Sequence, residues 1–391
     1  MFTLFSIVLT LYFCRLKSQV MLYLLMYGFS VVCFSIAIDG NFFGAWDYMY
    51  VKDKAVNSSL VLYYWMILLS SYVVFFVTLK NSMIQFRKEM VSEVELRWAA
   101  YFFGGASLVA CFLNVVQAYT VVGLNAGARE WELAFGRYVV LNYIYFLHLL
   151  ALTALGFISG LGKARFLDMC LVTLLLCSST LHGIKFTILH AFAFFCFSYF
   201  IGNRERIGKI LVIVSSSFLL IIVAYFLFAR GGGIQGLVDY IISASVNSIY
   251  IINTTNSYDL SSFNVLNPLG FIPFDKVYDR LVSGGEFVRV YVGFRLNDLY
   301  NLEHAITKVG VAWGAGIIFY SLVFSNIINV IRCKRNLHLG LLFFLALTMQ
   351  TILMFFTGFE FFKTKLWFNL ILAFVFFYLL RTIFRRRNLQ T

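Results

Sequence analysis

Runs of Leu, Phe, Ile, Val and Tyr recur along this chain with only short polar stretches between them, until one interruption from Arg230 to about His304 breaks the rhythm. A bilayer-crossing helix needs roughly 20 apolar residues. Stretches approaching that measure run approximately over 2–14, 20–38, 59–79, 98–122, 138–160, 166–181, 186–202, 210–229, 306–331, 339–358 and 366–384. The pattern therefore predicts an all-α, polytopic transmembrane helical bundle of about 11 spans with one large external loop. Residues 1–229 read as N-terminal transmembrane helices, 230–305 as the loop, and 306–391 as three further spans with a basic tail. The first, sixth and seventh stretches are the short ones. The break at His182-Gly183-Ile184-Lys185 is either a tight turn or an interruption within one long helix.

Composition moves this from a pattern to a class. Hydrophobic residues make up 61% of the 391 and charged residues 13%, with a mean hydropathy of +0.85, whereas soluble domains carry about a quarter charged residues. No soluble fold covers so much apolar surface. Met1–Phe13 lacks the basic leader and small-residue cleavage site of a signal peptide, so it is expected to remain in the mature chain.

Charge sets the expected orientation. With Arg385-Arg386-Arg387 on the cytoplasmic side, alternation places Arg15/Lys17, Lys80/Arg87/Lys88/Arg97, Lys163/Arg165, Arg204/Arg206/Lys209 and Arg332/Lys334/Arg335 there too. Together with Arg381 these are eighteen of the 31 Lys and Arg, against seven in the short external loops. Long loops are exempt from the positive-inside rule, so the 230–304 segment is expected outside. The net charge of +13 then reflects topology and attraction to acidic membrane lipids, and does not point to nucleic acid.

Several chemistries lack their residues. The seven cysteines fall within spans or at cytoplasmic edges, which argues against a disulfide framework. There is no His-Glu-x-x-His, Cys-x-x-Cys or EF-hand pattern, and the five histidines are scattered, so no dedicated metal site and no cofactor is expected. A phosphate-binding Walker loop and a dinucleotide fingerprint are also missing.

The long loop has its own grammar. After Arg230-Gly231-Gly232-Gly233, residues Ile234, Leu237, Val238, Ile241, Ile242, Val246, Ile249 and Tyr250 recur at helical spacing, as in an amphipathic helix lying along the outer membrane boundary. The glycines and helix start suit an anion, with Arg230 adding a full charge. They suit equally a hinge whose arginine snorkels. Both prolines, Pro268 and Pro273, follow and fix a non-helical path. Lys276, Asp279, Arg280, Glu286, Arg289, Arg295, Asp298, Glu303 and His304 then form the densest external cluster of ionisable groups. Tyr278, Phe287, Tyr291, Phe294 and Tyr300 are interleaved with them, which suits stacking on sugar rings as well as anchoring at the interface.

Many spans, one large external loop late in the chain, basic residues facing it, and the Gly-rich re-entry Val309-Gly310-Val311-Ala312-Trp313-Gly314-Ala315-Gly316 resemble the Wzy-type O-antigen polymerases. The resemblance implies a GT-C-like glycosyltransferase of the bacterial inner membrane, with its active site facing the periplasm. It would join undecaprenyl-diphosphate-linked oligosaccharide repeats without metal, among membrane lipids and beside a chain-length regulator protein in the same membrane.

The residue types fit that reaction. An acceptor hydroxyl attacks the anomeric carbon while a lipid diphosphate departs as a weakly basic anion, so the leaving group needs cations more than a proton. Arginine stays charged at a lipid boundary and grips phosphate with two donors. The candidate substrate-binding residues are Arg230, Arg280, Arg289, Arg295 and Lys185, although Lys185 suits interfacial snorkelling equally well. His304 is the candidate base, with Glu303 and Glu286 as substitutes. O-antigen ligases share the donor and the layout, and a polysaccharide flippase or other transporter shares the polytopic, basic character. Among span residues Asp168, His148 and His190 are the main ionisable ones, too few for a relay.

Overall fold

Within a bilayer an apolar run has no water to satisfy its backbone, and an α-helix is the local solution that pairs every N–H and C=O inside the segment. The computed structural model of the protein describes residues 1–40, 58–82, 93–123, 141–181, 185–224, 316–333, 338–352 and 364–388, and its regular elements are all helical. They are α1 (Phe2–Leu16), a 3₁₀ turn (Ser18–Val20), α2 (Met21–Asp39), α3 (Ser58–Thr78), α4 (Glu93–Val122), α5 (Asn142–Tyr145) and α6 (His148–Gly160). After these come α7 (Phe166–Leu181), α8 (Lys185–Gly202), α9 (Lys209–Ala224), α10 (Gly316–Arg332), α11 (Leu339–Ile352) and α12 (Thr364–Asn388).

The expected count of about 11 spans, and the GT-C-like bundle with it, is corrected. Among the described residues four helical segments are long and apolar enough to cross a membrane, Ser18–Asp39, Val61–Thr78, Glu93–Val122 and Tyr143–Gly160. Most of the other apolar runs fold as shorter apolar helices, Phe2–Leu16, Phe166–Ser179, His190–Gly202, Ser321–Arg332, Leu339–Gln350 and Leu366–Leu379. The reason is geometric. Crossing about 30 Å of hydrocarbon takes roughly 20 helical residues at 1.5 Å each, and α1, for one, stops after the 15 residues Phe2–Leu16. The loop over 230–305, with its amphipathic stretch and both prolines, lies outside the described residues.

The chain divides into two compact units. The first holds α1, α2, α3 and most of α10. Its helices are joined by polar side chains at helical spacing. Ser321, Ser325 and Asn329 lie four residues apart on α10. Ser321 meets the Tyr27 hydroxyl at 2.7 Å, which also contacts Ser71 at 2.6 Å. Ser325 meets Thr78 at 2.5 Å, and the Asn329 amide donates to the Thr78 carbonyl at 2.8 Å while accepting from the Lys80 N–H at 2.9 Å. Hydrogen bonds of this kind are worth about 0.6–1 kcal/mol each between membrane helices. Lys17 closes the same unit by donating to the carbonyls of Phe76 and Val77 (3.2 Å) in α3 and of Leu79 (2.6 Å) just after it, with its ammonium 4.6 Å from the Phe76 ring. Burial lowers the Lys17 pKa below its ordinary value.

The second unit holds α4 to α8, α11 and α12. Its centre is the α6–α8 pair, which packs through glycine. A Cβ at Gly156 would come within 3.0 Å of the Phe195 carbonyl, one at Gly160 within 3.0 Å of the Tyr199 carbonyl, and one at Gly202 within 3.0 Å of the Phe157 carbonyl. Gly156-x-x-x-Gly160 is a small-residue motif of the kind that lets membrane helices approach backbone to backbone. Helices α7 and α8 pack side by side as two separate helices, and the break at 182–184 between them lies outside the described residues.

Candidate functional site

Of the sequence-derived site residues, Arg230, Arg280, Glu286, Arg289, Arg295, Glu303 and His304 lie outside the described residues. Lys185 is the first residue of α8, and only its backbone is described. The second unit nevertheless fixes what lies around that helix start. Because Gly156 sits against Phe195 and Ser198, and Gly160 against Tyr199 and Asn203, α6 and α8 run parallel with residues about forty apart side by side. Carried back to the start of α8, this register sets Lys185 level with Tyr145.

At that level the unit buries a layer of uncharged polar side chains. Ser107, Cys111 and Asn114 share one face of α4, at spacings of four and three residues. The Ser107 hydroxyl donates to the Tyr145 carbonyl at 2.5 Å and the Cys111 thiol to the Ser178 carbonyl at 3.8 Å. The Tyr145 hydroxyl donates to Ser179 at 3.3 Å. His148 Nδ1 lies 2.8 Å from the Tyr145 carbonyl, and its ring packs 4.6 Å from that of Tyr145. From α12, the Asn369 amide donates to the Phe146 carbonyl at 2.8 Å. Asn114 is fully buried, and neither its amide nitrogen nor its carbonyl oxygen has a hydrogen-bond partner; the same holds for both polar atoms of buried Gln350 on α11. An unmade hydrogen bond on a buried amide costs about 1–3 kcal/mol.

The opposite end of the unit carries the ions. Asp168, fully buried, accepts from Arg97 Nε at 3.2 Å, from the Tyr101 hydroxyl at 2.6 Å and from the Arg165 N–H at 2.8 Å. Arg97 also bonds Glu93 and the Lys163 carbonyl, and Lys163 pairs with Glu93 at 2.7 Å. Nearby, Arg332 grips Glu205 in a fork, Nε at 2.7 and 2.9 Å and Nη2 at 2.6 Å, with both side chains almost wholly buried. Asp168, read from sequence as an ionisable residue within a span, is thus a helix-end anchor. Asn114 lies seventeen residues along α4 from Arg97, about 25 Å at 1.5 Å per residue. Among the described residues the Arg97–Asp168 and Lys163–Glu93 ion pairs therefore lie toward one end of α4, and Asn114 toward the other. Among the described residues no cluster of three or more His, Cys, Asp or Glu could hold a metal ion, and all seven cysteines carry free thiols.

His338, just ahead of α11, stacks 4.2 Å from Phe377 and packs edge-on to Phe374 at 5.1 Å. Burial lowers its pKa to about 4. The neutral ring is the folded form, so its contribution is complete above the unfolded value of about 6.5 and is lost as pH falls from there towards 4. Thermal unfolding of the purified protein at pH 7.5, 6 and 5 is expected to show this loss, and His338→Phe to flatten it. An unchanged pH profile in that variant would remove His338 as the cause.

Sequence inspection passed over the neutral layer because it weighed ionisable residues within spans. The signal was present as amides, Asn114, Gln350 and Asn369, standing in otherwise apolar runs. No protein-family model, curated protein or solved structure matches the chain.

Proposed function

We propose that this chain is a metal-independent membrane glycosyltransferase that polymerises polyprenyl-diphosphate-linked oligosaccharide repeats on the outer face of a bacterial inner membrane. The observation that carries the reading is the buried, uncharged hydrogen-bonding layer of the second unit, level with the start of α8 at Lys185 and remote from the ion-paired end. Neutral polar side chains between membrane helices also serve as packing contacts, and the reading rests on the two buried amides, Asn114 and Gln350, that make none. Lys185 and the loop arginines Arg230, Arg280, Arg289 and Arg295 supply the cations that a departing diphosphate needs, and His304, or Glu303 or Glu286 in its place, takes the proton of the acceptor hydroxyl.

The surface polysaccharide of a deletion strain distinguishes the reactions open to such a protein. Lipopolysaccharide capped with a single repeat is the result expected of a lost polymerase. Bare core with accumulated polymer would identify a ligase instead, and repeats that never reach the outer face a flippase. On complementation, Arg230→Ala, Arg289→Ala and Arg295→Ala are each expected to shorten or abolish the polymer at unchanged protein level, because losing preorganised charge stabilisation costs about 3–4 kcal/mol. Lysine at these positions should rescue only in part, since it lacks the fork. Full-length polymer from all three alanine variants would reduce the cluster to solvated surface.

A further inference from the structure

We propose that the turn between α6 and α7 is a docking surface for an anionic phospholipid, with the lipid phosphate on Arg165. Nothing in this placement depends on glycosyl transfer. The turn follows Gly160, where the crossing-length segment Tyr143–Gly160 ends, and its Lys163 pairs at 2.7 Å with Glu93, the first residue of the crossing-length helix α4. Two helices long enough to cross a bilayer end here, which sets the turn at a membrane–water boundary. Its shape is fixed. With Gly162 in the left-handed conformation at φ 71°, the Gly162 N–H bonds the Ser159 carbonyl at 3.0 Å and the Lys163 N–H the Ile158 carbonyl at 3.1 Å, the paired closure that stops a helix. Arg97 donates to the Lys163 carbonyl, and Asp168 accepts from the Arg165 N–H at 2.8 Å, so one buried ion pair holds the backbone on both sides of Ala164.

Outward, the turn presents a cation without a counter-ion, set in apolar surface. Residues 161–167 are all exposed, Phe166 at 87% and Leu167 at 62%. Three cations, Arg97, Lys163 and Arg165, are gathered with two acids, Glu93 and Asp168, and the acids are taken up by Arg97 and Lys163. Among the described residues no side chain pairs with the Arg165 guanidinium, whose only neighbour in this cluster, Asp168, bonds its backbone. A guanidinium keeps its charge at a lipid boundary and grips phosphate through two donors. A soluble anion would meet the arginine and leave Phe166 and Leu167 in water. A phospholipid answers both, its phosphate on Arg165 and its acyl chains over the two apolar side chains that follow. Phosphatidylcholine carries its own ammonium beside the phosphate, so an unmatched cation favours a headgroup with net negative charge.

The test titrates the full-length protein in dodecyl maltoside with phosphatidylglycerol or phosphatidylcholine, and native mass spectrometry reads the dissociation constant of each successive lipid retained. Wild type is expected to retain phosphatidylglycerol saturably and more tightly than phosphatidylcholine. Arg165→Gln is expected to weaken one phosphatidylglycerol step by about fivefold, the effect of one cation at an anionic lipid surface. The same variant should leave phosphatidylcholine binding and the lipid-free unfolding temperature unchanged. Arg206 supplies the control, since it is exposed in the turn after α8 of the same unit and Arg206→Gln loses the same charge. Equal weakening in Arg206→Gln would reduce the effect to net charge and overturn the site. Unchanged steps in Arg165→Gln, or equal affinity for the two lipids, would overturn it as well. A lower lipid-free unfolding temperature in Arg165→Gln would make the guanidinium part of the fold, against the proposal. Displacement of the lipid by soluble glycerol 3-phosphate at equal concentration would identify a free phosphate ester as the occupant and overturn the lipid.

Discussion

Gly160→Ala is expected to destabilise the second unit by about 1–3 kcal/mol, the usual cost of overpacking, and Gly156→Ala/Gly160→Ala together to prevent recovery of folded protein. Two effects oppose each other at these positions. Alanine favours a helix over glycine by about 0.8–1 kcal/mol, so each substitution would stabilise α6 if the space were open. It is closed by backbone. The added methyl at Gly160 would meet the Tyr199 carbonyl, and at Gly156 the Phe195 carbonyl, both under 3.0 Å. A side chain could rotate away from such a contact, but a helix backbone moves only by separating α6 from α8. Gly105 on α4 supplies the control, because a Cβ there meets nothing within 4 Å. Gly105→Ala should then be neutral or raise the unfolding temperature. Wild-type thermal stability in Gly160→Ala would show that the α6–α8 approach does not constrain the fold.

Glu205→Ala is expected to cost about 3–5 kcal/mol, the penalty of leaving one charge of a buried pair unanswered. Arg332 would remain with its side chain almost wholly buried and without the Glu205 carboxylate. The local backbone raises the stakes. Arg204 and Glu205 both adopt left-handed conformations, φ 56° and 58°, which cost side-chain-bearing residues about 1–2 kcal/mol each. The loop after α8 holds that shape where Glu205 meets Arg332 and where the Glu205 N–H bonds the Phe200 carbonyl at 2.8 Å. Replacing both partners with apolar residues, Glu205→Leu with Arg332→Met, should recover much of the loss, since the desolvation penalty disappears with the charges. A double variant no better than the sum of the singles would mean that the two side chains contribute independently. Denaturant or thermal unfolding of the four proteins in one detergent closes the cycle.

Much of the site's chemistry was not readable in advance, for reasons that differ by residue. Asn114 is one polar residue in an apolar run, and only the fold shows that α5 and α7 bring carbonyls to Ser107 and Cys111 while leaving Asn114 without a partner. Glu205 and Arg332 are 127 residues apart and each sits in a basic cluster, so nothing along the chain pairs them, and only the fold buries them together. Asp168 stood out as an acid within an apolar run, and tertiary contacts made it the anchor of Arg97 and Tyr101.

By itself the sequence determined the helical class, since long apolar runs leave the backbone no other way to satisfy its hydrogen bonds in lipid. Only the tertiary structure showed four helices of crossing length among the described residues, where about 11 spans were expected. It likewise decided which polar residues are answered and which are not. Helix termination and hydrogen-bond pairing depend on neighbours distant in the chain, and a linear pattern of hydropathy carries no record of them.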